Sequence, residues 1–329
     1  MLDYFAKLKK HFSVALAAAL SVLLLAPLSS FAEKPPGSRP TVALVLGGGL
    51  SRVGPAHVGV LKVFEKEGIP IDMIVGASVG AIYGGLFAAG VSTSELEKMV
   101  RNKSIFSDYR TLAIPVRILA DPLLHIPVLW GQRHYAGLYR GEHFAAFINK
   151  TIPPPCRNVE QARIKFCAVA ANLLDGKPCL LTKGNFGKVI QASSAEAILR
   201  RPVKMDGKLL ADGGLVSLIP VEEARSLGAD IIIAVDLDDP LPPEPAEKFY
   251  SLINVGVRAF NIIVARLDEH QVKNADIVIQ PTFTKHRSLG STAAAAMEAG
   301  EKAATEALPK IRQCLDRHGC ASSEKVSVQ

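Results

Sequence analysis

Cysteine is scarce and odd in number: Cys156, Cys167, Cys179, Cys314 and Cys320 are the five in 329 residues. Their spacings match no zinc site, and an odd count leaves at least one thiol unpaired. Cys156–Cys179 and Cys314–Cys320 stand as candidate disulfides. Cys167, inside the apolar run KFCAVAA, reads as a buried free thiol. Charge is sparse as well, 21% of residues against 49% apolar, so a sizeable core is expected and wholesale disorder is excluded. The +7 net charge is not gathered into one tract. No zinc-finger or RNA-binding motif is present, which argues against nucleic acid as a partner. No internal repeat occurs, and no second apolar run of membrane-spanning length follows Leu28.

The one long apolar run lies near the start. Lys7, Lys9 and Lys10 precede it, Phe12 to Leu28 form it, and SSFA follows with small residues at Ser30 and Ala32. This is the pattern of a cleaved secretory signal peptide over residues 1–32. The rival reading, an uncleaved anchor, is weakened by Pro27 and by the run's length. Residues 33–40, EKPPGSRP, read as a linker. Loss of the leader lowers the net charge from +7 to +5, because three Lys and one Asp go with it. The mature chain is expected to be exported, periplasmic or secreted, with an anionic membrane surface as a candidate partner. Nothing in the sequence fixes an oligomeric state.

From Thr41 onward strands and helices alternate. TVALVLGGG (41–49) and IDMIVGAS (71–78) read as buried strands, each followed by a helix, HVGVLKVFEKEG (57–68) and VGAIYGGLFAAG (79–90). Further strands are expected in 164–174, 178–184, 208–214, 229–237 and 275–281, with LDGKP as a hairpin turn. This order predicts an α/β fold with a mostly parallel sheet covered on both faces. Residues 41–285 are assigned to that domain, with 101–155, which holds Trp130, as a lid or insertion. Residues 286–329 are assigned to a C-terminal helix and tail. The segment 251–267 is expected to pack in the core.

Three stretches can carry chemistry, each at the end of an expected strand. GASVG (76–80) sets Ser78 between Gly76 and Gly80 on a strand-to-helix turn, the context of an exposed nucleophile. LGGGLSRVG (46–54) offers backbone N–H groups to an anion. It fails the Walker pattern, and Arg52 stands where the dinucleotide fingerprint needs glycine. An oxyanion hole uses the same geometry, with Arg52 a candidate anion contact. LLADGGLVSLIP (209–220) places Asp212 before Gly213 and Gly214, where a carboxylate can meet another loop.

The order glycine loop, serine, Asp-Gly-Gly resembles the patatin-like phospholipase family. LGGGLSRVGPAHVGVLKVFEKEGIPIDMIVGASVGAIYGGLFAAG is similar to its N-terminal block and ADGGLVSLIPV to its aspartate block; GLYRGEHFAAFI (137–148) and QASSAEAI (191–198) are fainter matches. The resemblance implies a three-layer α/β/α fold and a lipid acyl hydrolase of the phospholipase A or lipid esterase type. It implies Ser78 as nucleophile, Asp212 as base, Gly47, Gly48 and Gly49 as the oxyanion hole, a lipid substrate, and neither metal nor cofactor. His57 reads as a packing or capping residue at a helix start. Three departures stand out: Val53 separates Arg52 from Gly54, Ala197 replaces a usual proline, and Ser217 and Leu218 replace usual asparagines. Two other functions compete. One is a Ser–His–Asp esterase drawing on His270, His286 or His318; the other is a non-catalytic lipid-binding envelope protein.

Overall fold

A computed structural model describes residues 39–49, 53–105, 135–197, 199–237, 243–283 and 293–319. The leader, Arg52, most of the 101–155 segment with Trp130, His286 and Cys320 lie outside the described residues. In chain order the elements are β1 (Val42–Leu46), α1 (Ala56–Glu67), β2 (Met73–Ala77), α2 (Val79–Ala88), α3 (Thr93–Arg101) and α4 (Glu142–Thr151). Then come β3 (Lys165–Asn172), β4 (Pro178–Leu181), α5 (Phe186–Ser193), β5 (Val203–Met205), β6 (Lys208–Asp212), α6 (Val221–Ser226) and β7 (Ile231–Val235). The last are α7 (Leu252–Gln271), β8 (Ile277–Ile279) and α8 (Ala293–Arg317).

Every residue of β1, β2 and β7 is apolar or glycine and buried. Successive side chains feed two cores. Val42, Leu44, Leu46 and Ile74 belong to one, with side chains from α1, α2, α3, α5 and α8; Ala43, Val45, Val75 and Ile232 belong to the other, with Val221 and Ala224 of α6. A strand buried on both faces needs no polar side chain at all, which is why the sequence shows a continuous run instead of alternation. The result is three layers, helices on both sides of one sheet. α1 and α8 cross at closest approach: a Cβ on Gly59 would lie 2.0 Å from the Met297 carbonyl, and one on Gly300 2.0 Å from that of Ala56. α8 and the sheet thus belong to the same compact unit, which begins at Pro40.

Strands β3, β2, β1, β7 and β8 are parallel neighbours, while β4 and β6 pair antiparallel with β3 and β5 pairs antiparallel with β6. The pairing registers contain a detail that matters for the site. β2 pairs with Lys165–Val169 of β3, β4 with Ala168–Ala171, and β6 with Ala170–Asn172. β4 overlaps both of the others on β3, so it occupies one edge and they share the other. β2 and β6 therefore meet head-on along one edge of β3. The contact is tight: a Cβ on Gly213 would sit 2.2 Å from the Val169 carbonyl and 3.4 Å from the Ala77 Cβ.

Two expectations are corrected, and a third point extends the reading. The segment 251–267 forms most of α7, but Leu252, Val255, Ile262 and Ile263 are exposed, so that face of the helix is not core. They fall with Ala259 on one side of a 3.6-residue period, and the period alone does not say which side meets the core. Cys156 and Cys179 are free thiols: Cys156 Sγ lies near the Asn158 carbonyl and Cys179 Sγ accepts a bond from Lys208 Nζ at 3.2 Å. The third is an addition, β5, three residues long, joined to β6 by Asp206-Gly207 with φ of 49° and 75°. Cys167 is buried and free, and desolvation pushes its thiol up to about 12.

Candidate active site

Ser78 lies between the end of β2 and the start of α2, with φ 52° and ψ −119°. A non-glycine residue at positive φ costs roughly 1–3 kcal/mol and persists only where its surroundings impose it. Here they do, because the first turn of α2 folds back onto the strand ends. A Cβ on Gly76 would be 2.7 Å from the Ala81 nitrogen, and one on Gly80 2.0 Å from the Leu46 carbonyl. Only glycine fits at either position.

The head-on meeting of β2 and β6 brings Asp212 to this turn. Ala77 pairs with Val169 and Asp212 with the next residue, Ala170, so the two strand ends arrive at one level. Ser78 Oγ donates to Asp212 Oδ2 at 2.7 Å, and the Gly214 N–H donates to Oδ1 at 2.8 Å. Burial, the largest influence, raises the Asp212 pKa to about 6; Glu196 nearby pushes the same way, and the bonds from Ser78 and Gly214 oppose them. The backbone of Ser78 is tied down too. Its N–H donates to Ser193 Oγ at 3.2 Å, and Ser193 Oγ–H donates to the Val169 carbonyl at 2.5 Å. In the sequence Ser193 carries no signal beyond its place in QASSAEAI.

The glycine loop lies against the serine: a Cβ on Gly48 would be 3.4 Å from Ser78 Cβ. Its N–H groups, however, are not all available. Gly47 N–H donates to the Val235 carbonyl at 3.1 Å and Gly48 N–H to the Leu218 carbonyl at 2.8 Å. This corrects the expectation that Gly47, Gly48 and Gly49 all serve an oxyanion. Two of the three hold the loop in place, and only Gly49 N–H makes no hydrogen bond among the described residues. The first-turn amides of α2, Val79 to Ala81, likewise reach no acceptor there, as expected at a helix start. Gly76, Gly80, Gly213 and Gly214 all line the Ser78–Asp212 junction, while Arg52 lies outside the described residues.

No histidine bonds to Ser78 or Asp212 among the described residues. His57 is fully buried with Nε2 2.8 Å from the Gly47 carbonyl oxygen, and desolvation lowers its pKa to about 4. His270 is exposed near the end of α7, and His318 Nδ1 lies 2.9 Å from the Cys314 carbonyl. Among the described residues no group of His, Cys, Asp and Glu is arranged to hold a metal ion. Nor is any described helix long and apolar enough to cross a membrane.

The sequence model of one family, patatin-like phospholipase, matches residues 44–225, more than half of the chain. An uncharacterized NTE family protein of Mycobacterium bovis is 32% identical over 237 residues, 70% of this chain and 60% of that protein. Lysophospholipase NTE1 of Candida albicans is 33% identical over 226 residues, 66% of this chain but 15% of that one. The chain thus spans at most about 60% of these relatives' length. Among solved structures, VipD from Legionella pneumophila superposes with a TM-score of 0.43 at 14% identity, covering 83% of this chain and 67% of that one.

Proposed function

The chain belongs to the patatin-like phospholipase family, and from that premise we propose that it is a serine hydrolase cleaving acyl esters of lipids. The observation that carries the reading is the 2.7 Å bond from Ser78 Oγ to Asp212 Oδ2 on a strained, glycine-flanked turn. Ser78 Oγ attacks the ester carbonyl while Asp212 takes its proton. The tetrahedral oxyanion gathers hydrogen bonds from Gly49 N–H, with the α2 dipole behind it. Collapse of the intermediate expels the alcohol, which recovers the proton from Asp212 and leaves an acyl-enzyme on Ser78. Water then attacks the acyl carbon, giving its proton to Asp212; collapse expels Ser78 Oγ, which takes that proton back from Asp212, and the fatty acid departs.

An aspartate with an ordinary pKa is a weak base. Burial raises that of Asp212 to about 6, closer to working pH, and this supports direct proton transfer without a histidine relay. A fluorophosphonate probe should label wild type at Ser78 and leave Ser78→Ala unlabelled. Hydrolysis of a dispersed phospholipid should vanish in both Ser78→Ala and Asp212→Asn. Labelling at another serine, or full activity in either variant, would overturn the assignment.

We further propose that the chain is exported and works at a lipid surface. Support comes from the Lys7–Lys10 leader, the apolar run after it and the basic mature charge. N-terminal sequencing of the cellular protein should begin near Glu33, and binding to anionic vesicles should weaken with salt.

A further inference from the structure

His57 has no part in the proton transfers above, yet it touches the glycine loop. It lies in the first turn of α1, wholly buried. Its Nε2 is 2.8 Å from the Gly47 oxygen. A carbonyl can only accept, so Nε2 carries the proton and Nδ1 is bare. That Nδ1 is buried and has no hydrogen-bond partner among the described residues. A ring chosen only to fill space would be better replaced by an apolar side chain, which leaves no bare nitrogen behind. What the imidazole adds is the single bond to Gly47.

That bond falls at an informative place. The Gly47 carbonyl and the Gly48 N–H belong to one peptide plane. His57 donates to its oxygen, and its N–H donates to Leu218 O at 2.8 Å. Gly80 closes a third side, since a Cβ there would lie 2.7 Å from the Gly47 oxygen. The plane is therefore held at both ends, and the next amide along the chain is Gly49. The histidine is itself on a fixed base, because α1 is locked against α8 at Gly59 and Gly300.

We propose that His57 is a positioning residue for the oxyanion hole: its Nε2–H clamps the Gly47–Gly48 peptide so that Gly49 N–H faces the reacting oxygen. The proposal rests on the acyl-transfer reading given above. Burial keeps the ring neutral, its pKa lowered to about 4, so the clamp holds one protonation state across working pH.

The test uses three variants of the full chain. In His57→Gln the amide nitrogen sits as many bonds from the backbone as Nε2 does and can make the bond. Asparagine is one bond too short, and leucine has no donor. His57→Leu and His57→Asn should lower kcat on a soluble ester by about 30- to 100-fold, the scale of a slightly misplaced catalytic group. KM should stay within about twofold, because ground-state binding does not use the hole. Affinity for a boronic acid, whose serine adduct mimics the tetrahedral oxyanion, should fall in parallel with kcat. His57→Gln should recover most of both. Circular dichroism establishes that each variant is folded. If His57→Leu keeps wild-type kcat, or folded His57→Gln falls as far as His57→Leu, the clamp is overturned. Should leucine fail to fold, the glutamine and asparagine pair decides. Wild type with no Ser78-dependent hydrolysis overturns the acyl-transfer reading instead. The imidazole 15N spectrum of the wild type then judges the hydrogen bond by itself: a proton on Nε2 and a bare Nδ1 support it, and the opposite tautomer overturns it.

Discussion

The parallel and antiparallel parts of the sheet supply the two halves of the site by opposite means. On the parallel side, Ser78 is held by backbone conformation: a positive φ, two flanking glycines and an α2 turn pressed onto the end of β1. On the antiparallel side, Asp212 is the last residue of an ordinary strand and is placed by pairing with Ala170. The serine's position is strained and depends on close packing around its turn. The aspartate's position is relaxed, and its cost lies instead in taking a carboxylate out of water. Substitutions on the parallel side should therefore act through backbone packing, and those on the antiparallel side through charge.

The largest effect tests whether the halves act as one unit. Ser78→Ala and Asp212→Asn should each lower kcat on the order of 10⁴-fold, and the double variant should be no worse than either single one. Additive losses in ester-hydrolysis kinetics would split the pair. Next comes crowding. Gly80→Ala sets a methyl against the Leu46 carbonyl and Gly213→Ala against that of Val169, and urea unfolding should show each destabilised by about 3 kcal/mol or more. Gly176→Ala, at φ 71° with open space around it, should cost only about 1 kcal/mol.

The charge side gives a pH signature. Asp212 titrates near 6 in the folded chain and near 3.8 when unfolded. Its neutral form is the one the fold prefers, so the stability it lends is full below pH 3.8 and is lost as pH rises through 6. Asp212→Asn should then be more stable than wild type by roughly 1–3 kcal/mol at pH 8 and little different at pH 4, as read by denaturant titration at both. Wild-type activity should rise with a midpoint near pH 6. The smallest effect is at Ser193: Ser193→Ala removes the acceptor for Ser78 N–H and should cost about 1 kcal/mol, with a tenfold fall in kcat at most.

The same contrast explains what could be read from the residues alone. β1, β2 and the helices after them are legible because continuous apolar runs end in glycines. GASVG and ADGG are legible only together: a capping serine or a turn aspartate is ordinary by itself, and what marks them is their order with the glycine loop, each at the end of an expected strand. The partners of Gly47 and Gly48 are not, since Val235 and Leu218 lie some 170 to 190 residues away and a backbone carbonyl leaves no mark in a sequence. Ser193 is 115 residues from the amide it holds. His57 reads as a packing residue because burial and a single hydrogen bond look alike from the pattern PAHVGVL. The exposed face of α7 shows the same limit: apolar residues at mixed spacing over 251–267 do not say which side of the helix meets the core.

The abutment of β2 and β6 makes this site a matter of chain length. Each strand residue advances about 3.3 Å and turns the next side chain to the opposite face. One residue inserted between Leu210, which pairs with Asn172, and Asp212 would carry the carboxylate past the serine and point it into the wrong layer. A deletion there would leave it short and equally misdirected. The tip of the β3–β4 hairpin, beyond Leu173, whose N–H bonds the Leu209 carbonyl of β6, lies outside that constraint and can lengthen without disturbing the pair. The protein thus keeps its chemistry along a dimension that point substitution never samples and that insertion scanning would expose within a window of a few residues.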